Sequence, residues 1–243
     1  MKVYIAAHRR FDLPPGLPSF YSPLQVGAAL HEPIGWPGDD TGDTISADNP
    51  TYNELTALYW MWKNSTEDIV GLCHYRRYFV TPRGKLRNLV SGAVGDFLTE
   101  ETIRRLLKNH DWILHNPTFF AQGVGRQFEQ TQSAANLAVL RQVVAEQGPA
   151  YADAFDRVMK GHTVHLLNMF IAPKPLADRY AAWLFAVLRE TERRIRARCP
   201  DAPMDRAMGM LGERMPDVWA RANGLRTAVS LSVNTERIDR TPW

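Results

Sequence analysis

The segment Gly71-Leu72-Cys73-His74-Tyr75-Arg76-Arg77-Tyr78-Phe79 places one histidine, two adjacent arginines and three aromatic rings directly after an apolar run. Guanidinium forks bind phosphate oxygens two at a time. Aromatic faces stack on a base or a sugar. The competing reading is a basic loop whose rings belong to the core. Paired arginines at the end of a buried strand are costly without a partner, so anion binding is the favoured reading. From His74 to Arg87 the cations Arg76, Arg77, Arg83, Lys85 and Arg87 follow one another with no acid between them.

Four other segments carry polar chemistry. His8-Arg9-Arg10 follows the first apolar run, where the two cations beside His8 either meet an anionic ligand or simply sit in water. Asp39-Asp40-Thr41-Gly42-Asp43 offers oxygen ligands, notably Asp40 and Asp43, of the kind Mg²⁺ or Mn²⁺ prefers. A polar turn is the stronger reading there, since residues 31–38 form no apolar strand to present the carboxylates. Asn168 interrupts the apolar stretch 166–171, as a satisfied core amide or as a contact to a sugar hydroxyl. In the stretch 205–214, Glu213 is a candidate general base, and Arg206 or Arg214 a phosphate or carboxylate partner. Spacing alone favours an exposed helix with local ion pairs for that stretch. The sequence contains no P-loop, no HExxH and no G-x-S-x-G.

The elements that must position these residues alternate. Lys2–Ala7 reads as a buried strand. Residues 13–42 hold Pro14, Pro15, Pro18, Pro23, Pro33 and Pro37, and little regular structure is expected there. A helix is expected over 52–63, opened by a Thr51/Glu54 capping box or by Asn49 with Pro50. A strand follows over 68–73, then a helix from Thr99 to about Asn109 and a short strand over 111–115. Helices are expected over 127–147 and 151–160, a strand over 165–172, and a long amphipathic helix over 175–198. A helix over 204–221, kinked near Pro216, and an edge strand over 227–233 complete the chain. This order describes an α/β layered fold with a parallel or mixed sheet. Ligands in such folds bind beyond the carboxyl ends of the strands, which points to the residues after Ala7, after Leu72 and around Asn168.

The chain has 243 residues, of which 45% are hydrophobic and 23% charged, with a net charge of +3. These values fit one large globular domain or two small ones, with a single domain over 1–243 the favoured reading, and exclude collagen, coiled coil and bulk disorder. The weak net charge, with acids spread through the other segments, argues against a nucleic-acid partner. No apolar run is long enough to span a bilayer, and the N-terminus does not read as a secretory signal. With two cysteines and no zinc spacing, a cytoplasmic, reducing location is expected.

Taken in order, several stretches resemble a bacterial family known as domain of unknown function 4422, whose members look like capsular and exopolysaccharide glycosyltransferases. They are Asp40 to Ser46, Asn49, Glu54 to Asn64, Gly71 to Phe79, Asn168 to Ile171, Trp183 to Phe185 and Gly212 to Arg214. Thr44 departs from the asparagine usual in the family. The resemblance implies a GT-A-like, Rossmann-like mixed sheet flanked by helices. It also implies transfer of a sugar, galactose or galactofuranose, from a nucleotide-diphosphate donor, with a UDP-sugar the leading one. The acceptor would be a saccharide, on a lipid carrier, in capsular, exopolysaccharide or O-antigen synthesis.

In that reading Arg76 and Arg77 neutralise the leaving diphosphate, with Mn²⁺ or Mg²⁺ as the alternative means. His8, Arg9, Tyr75 and Arg206 lie near the donor, and Asn168 contacts the sugar. Glu213 is the first candidate for the base and His74 the second. Peripheral contact with the inner membrane would run through the basic helix 189–198. The alternatives are a module that binds a nucleotide or anionic glycan without turnover, and a structural subunit of a polysaccharide assembly complex.

Overall fold

The computed structural model describes residues 1–236. Strand β1 (Lys2–Ala7) forms where expected and is buried on both faces. Val3, Ile5 and Ala7 enter one apolar layer, while Tyr4 and Ala6 enter the other. A strand with two dry faces belongs inside a sheet, because only neighbouring strands can satisfy its backbone. Those neighbours are β2 (Tyr21–Gln25) and β3 (Ile69–His74), both parallel to β1.

The position of β2 corrects the expectation for residues 13–42. That stretch supplies a strand despite Pro23, which lies opposite Ile5. β2 is at the sheet edge and needs hydrogen bonds on one side only, which is where a proline is tolerated.

After His74 the chain turns sharply into β4 (Arg77–Val80), with His74 opposite Arg77. The basic segment is therefore a tight strand-to-strand turn that continues into a strand. Helix α3 (Pro82–Ser91), also unanticipated, follows with the Thr81 side chain as its cap. Helix α4 (Glu100–Asn109) starts on Thr99, whose side chain accepts from the Thr102 N–H, and β5 (Trp112–His115) follows. Both agree with the sequence reading.

Several expected helices are divided. The one over 52–63 becomes α1 (Asn49–Tyr52) and α2 (Leu55–Asn64), broken at Asn53, where φ is 52°. Pro50 opens α1, and the Thr51/Glu54 box does not form. A two-residue strand, β6 (Thr118–Phe119), precedes α5 (Val124–Thr131), α6 (Ala134–Ala145) and α7 (Pro149–Lys160). The expected helix 127–147 breaks where the Ser133 side chain accepts from the Asn136 N–H and caps α6. Strand β7 (Thr163–Val164) pairs with β6. Strand β8 (Phe170–Pro173) leads into the long helix α8 (Lys174–Arg198). The helix expected over 204–221 is α9 (Ala207–Gly212) and α10 (Met215–Ala222). The break falls at Glu213 and Arg214. Pro216 sits in the first turn of α10, where its missing N–H costs nothing. The last strand, β9 (Thr227–Asn234), fills the sheet between β4 and β5 and is not an edge.

The main sheet is mixed, in the order β2-β1-β3-β4-β9-β5-β8, and β8 returns to pair with β3. One apolar layer holds α2, α6, α8 and α10 against Tyr4, Leu72, Trp112 and Phe170. The other holds α4 and the β4 side chains Tyr78 and Phe79 against Val3, Ile5, Ile113 and Ile171.

The strand directions decide what meets at one end of this sheet. β1, β2 and β3 are parallel, β8 runs against β3, β5 runs against β8, and β9 is parallel to β5. The ends of β1, β2, β3, β5 and β9 and the starts of β4 and β8 therefore share one rim. That rim carries His8 and Arg9, His74 to Arg77, His115, Asn168 and Glu236.

Candidate active site

The segment 165–168 is the base of the site. It was expected to be strand, but β8 begins only at Phe170. Leu167 and Asn168 instead adopt left-handed backbone, with φ of 70° and 52°. Each such residue costs on the order of 1–2 kcal/mol, so the surroundings must hold the turn.

Ionisable side chains do so from several directions. His74 Nε2–H donates to the Leu167 carbonyl at 2.6 Å. His115 Nε2–H donates to the Leu166 carbonyl. Glu213 Oε1 accepts from the Leu167 N–H at 3.2 Å, and Asp217 takes both the backbone N–H and Nδ1 of His165 at 2.7 Å. Asn168 Nδ2 donates to Glu54 Oε1 at 2.7 Å, while its Oδ1 is buried without a donor.

Helix α9 closes over this turn at glycine distance. A Cβ on Gly209 would lie 2.6 Å from Asn53 Nδ2, and one on Gly212 would lie 2.8 Å from Leu55 Cδ1. Any larger residue would push the helix away from Glu54 and Asn168.

Two carboxylates thus flank Asn168. Burial pushes the Glu213 pKa up, against the pull of Arg214, and the neighbouring Glu54 raises it further. Burial also raises Glu54, opposed by Asn168 and by the charges of Arg206 and Arg77. Arg214 is buried, donates to Glu213 Oε2 at 2.9 Å and to Gln127 Oε1 at 3.1 Å, and lies 4.8 Å from the Phe128 ring.

His74 and His115 are neutral tethers. Burial lowers both pKa values to about 4. Above the unfolded value of 6.5 neither state of the chain carries the proton, so stability is unaffected. Below it the unfolded chain takes up protons that the native site refuses, and stability falls until about pH 4. Each histidine accounts for on the order of 3 kcal/mol at the acid end. The urea midpoint should therefore drop between pH 6.5 and 4, and His115→Gln should flatten that drop. Glu54 and Glu213 act with the opposite sign, because raised carboxylates favour the native state as pH falls. An equally steep profile in His115→Gln would contradict the tether assignment.

Cations rim the same opening. Tyr75 is covered by His8 (ring centroids 5.2 Å), Arg9 (5.1 Å) and Arg76 (5.5 Å). Its ring therefore organises the guanidinium groups. The Glu236 carboxylate bridges Arg9 and Arg76, the latter at 2.8 Å, and these arginines lower its pKa. Partial burial lowers the pKa of His8, with Arg9, Arg76, Arg206 and His31 adding to the effect. Arg77 is half-buried, and its side chain makes no hydrogen bond among the described residues. Burial lowers its pKa first and Arg76 second, while Glu213, Glu54 and Glu236 pull it back up.

Of the residues singled out in the sequence, His8, Arg9, His74, Tyr75, Arg76, Arg77, Asn168, Arg206 and Glu213 converge on this rim. Asp40 and Asp43 are exposed on the loop that pairs with the end of β2 through Gly38 and Gln25. Asp43 is engaged by the Tyr59 hydroxyl at 3.0 Å and by Lys63 at 3.8 Å. Asp39 is buried under two backbone N–H groups and the Ser46 hydroxyl. Among the described residues no cluster of three or more His, Cys, Asp or Glu is arranged to hold a metal. No step below depends on a divalent cation.

Sequence reasoning missed Glu54 as a site residue, along with His115, His165, Asp217 and Glu236. In the sequence Glu54 stood out only as half of a capping box and as the first residue of a family-like stretch, with no chemical role attached. Nothing local marks a carboxylate whose partner, Asn168, lies 114 residues away.

The fold and rim define a mixed α/β protein with a buried Glu213 and a partly buried Glu54 beneath a cationic opening. The chain belongs to the family described as domain of unknown function DUF4422, which it matches over residues 2–224. β9 and Glu236 lie beyond that match. The chain is also similar to the apo structure of WbbM, a bifunctional glycosyltransferase, at 27% sequence identity and a TM-score of 0.78. The likeness covers 96% of this chain and 45% of the other, so this chain spans under half the length of that protein. No curated protein matches it. Among the described residues no helix is long and apolar enough to cross a membrane.

Proposed function

We propose that the protein is a glycosyltransferase of GT-A-like architecture that takes its sugar from a nucleotide-diphosphate donor, with a UDP-sugar the first choice. The observation that carries this reading is Arg77, a half-buried guanidinium with no hydrogen-bonding partner among the described residues, set beside Arg76. Leaving such a charge unpaired is costly, and a diphosphate would supply the missing acceptors. The likeness to a glycosyltransferase structure supports the same class.

In this reading Arg76 and Arg77 bind the diphosphate, and Arg9, Arg206 and His8 line its approach. The acceptor hydroxyl attacks the anomeric carbon and its proton passes to the Glu213 carboxylate. The bond from that carbon to the diphosphate oxygen breaks, and its electron pair leaves with the diphosphate. The two arginines neutralise the charge that develops there. Asn168 and Glu54 hold the turn that presents Glu213. His74, whose Nε2 proton is committed to Leu167, positions rather than accepts. The acceptor is a saccharide, and carriage on a membrane lipid in capsular, exopolysaccharide or O-antigen synthesis fits the family resemblance.

Calorimetric titration with UDP, run with Mn²⁺ and again with EDTA, tests the reading. Binding that survives EDTA is expected. Binding that requires Mn²⁺ would overturn the arginine-only diphosphate site. Absence of binding to UDP, GDP, CMP and dTDP alike would overturn the nucleotide-donor reading. Tight nucleotide binding without transfer from any donor would leave a binding module.

A further inference from the structure

Helix α3 is amphipathic in the reverse sense. Gly84, Lys85 and Asn88 are its covered positions, whereas Leu86, Leu89 and Val90 are 63%, 72% and 80% exposed. The spacing i, i+3, i+4 puts these three apolar side chains on one face. Single exposed leucines are ordinary, but an exposed cluster marks an interaction surface. Arg83, Lys85 and Arg87 are the only charged residues within the helix, and all are cations. We infer that α3 docks the protein on an anionic phospholipid surface. Leu86, Leu89 and Val90 enter the acyl boundary, and Arg83 and Arg87 meet the headgroup phosphates.

The way α3 is held leaves its apolar side free. A Cβ on Gly84 would lie 2.6 Å from the Gly95 carbonyl oxygen and 2.9 Å from that of Asp96, so the helix packs there at glycine distance. The Thr81 side chain accepts from the Gly84 N–H at 3.2 Å, and Lys85 Nζ donates to the Ser232 carbonyl at 2.8 Å. The helix is thus fastened by its small and polar side. Ser232 lies opposite Phe79, two residues from the Asn234–Arg77 pair at the rim. That is about 7 Å along the strand, so α3 is anchored to the two strands that lead to the site opening.

Charge selects the occupant. Asp96 pairs with Arg87 at 3.2 Å and reaches Arg83 at 4.0 Å, which still leaves the three cations of α3 in excess. Two-fold contact with a second copy would set Arg83 and Arg87 against their own counterparts. The helix has ten residues and is about 15 Å long, so one face of it falls well short of the roughly 800 Å² per partner of a stable protein interface. An anionic bilayer favours both the cations and the leucines. The basic helix 189–198, expected to make membrane contact, fits this role less well. Its Arg193, Arg194 and Arg196 are held by Glu190, Glu146 and Glu192. Among the described residues, none of the large exposed apolar side chains lies on it.

Co-sedimentation of the full chain with vesicles tests the docking. One vesicle set holds phosphatidylglycerol and phosphatidylethanolamine in equal parts, the other phosphatidylcholine alone. The proteins are the wild type, Leu86→Gln/Leu89→Gln, Arg83→Gln and, on the basic helix, Arg196→Gln. The substituted side chains are exposed and Gln suits a helix, so the thermal midpoints should match. The wild type should sediment with the anionic vesicles at low salt, less so as salt rises, and not with phosphatidylcholine. The double variant should bind roughly tenfold or more weakly, and Arg83→Gln about fivefold. Arg196→Gln should bind like the wild type. Equal binding to both vesicle sets, no sedimentation, or a double variant that binds like the wild type would overturn the proposal. So would a loss in Arg196→Gln as large as in Arg83→Gln. A dimer in analytical ultracentrifugation that the double variant loses would assign the face to a second copy instead. No donor sugar enters the assay, so its outcome is independent of the transferase reading.

Discussion

Replacing Glu213 by Gln should lower kcat by on the order of 10²- to 10⁴-fold, the range for loss of a general base. UDP affinity should change little, because the diphosphate is assigned to the arginines. Glu213 also serves the fold, since Oε1 accepts from the Leu167 N–H and Oε2 pairs with Arg214. A glutamine presents an NH₂ group to one of these donors, at a cost of roughly 1–3 kcal/mol. Thermal unfolding and UDP titration on the same variant separate a damaged fold from a lost base.

The pH profile is the sharper readout. A base must be deprotonated, and the Glu213 pKa is raised by burial and by Glu54. The acid limb of kcat/KM should therefore lie above the ordinary carboxylate range. Glu54→Gln removes a neighbouring negative charge, so the limb should move to lower pH. Arg214→Met removes the opposing positive charge, so it should move to higher pH. A limb unmoved by either change would assign the base elsewhere.

Arg77→Ala is the second large effect. Charge-assisted hydrogen bonds contribute about 1.5–3 kcal/mol each, so UDP affinity should fall by roughly 10- to 100-fold. If Arg77 also meets the charge that develops on the leaving group, kcat should drop by on the order of 10²- to 10³-fold. Glu236→Gln has the opposite sign. Its carboxylate occupies Arg9 and Arg76, exposed groups whose pairing is worth under about 1 kcal/mol. Freed of that competitor, the site should bind UDP up to about fivefold more tightly. Normal turnover in Arg77→Ala would end its assignment to the diphosphate.

The chemistry-bearing segments were legible in the sequence because each is local. His8-Arg9 follows an apolar strand, and His74 to Arg77 follows another. The alternation of buried strands and amphipathic helices determined the mixed α/β class. Burial on both faces of β1 and β3 is written in consecutive apolar residues.

What only the tertiary structure decided was pairing over distance. β2 forms in a proline-rich stretch because the edge of a sheet tolerates a missing N–H, and β1 was already there to pair with it. The turn at Leu167 and Asn168 reads as apolar strand. It leaves strand geometry because His74, His115 and Glu213 converge on its carbonyls and N–H from distant parts of the chain. Glu54 became a site residue for the same reason. Periodicity records which face of an element is apolar. Only packing determines which polar group is left beside which other, and in this protein that places the carboxylates under the arginines.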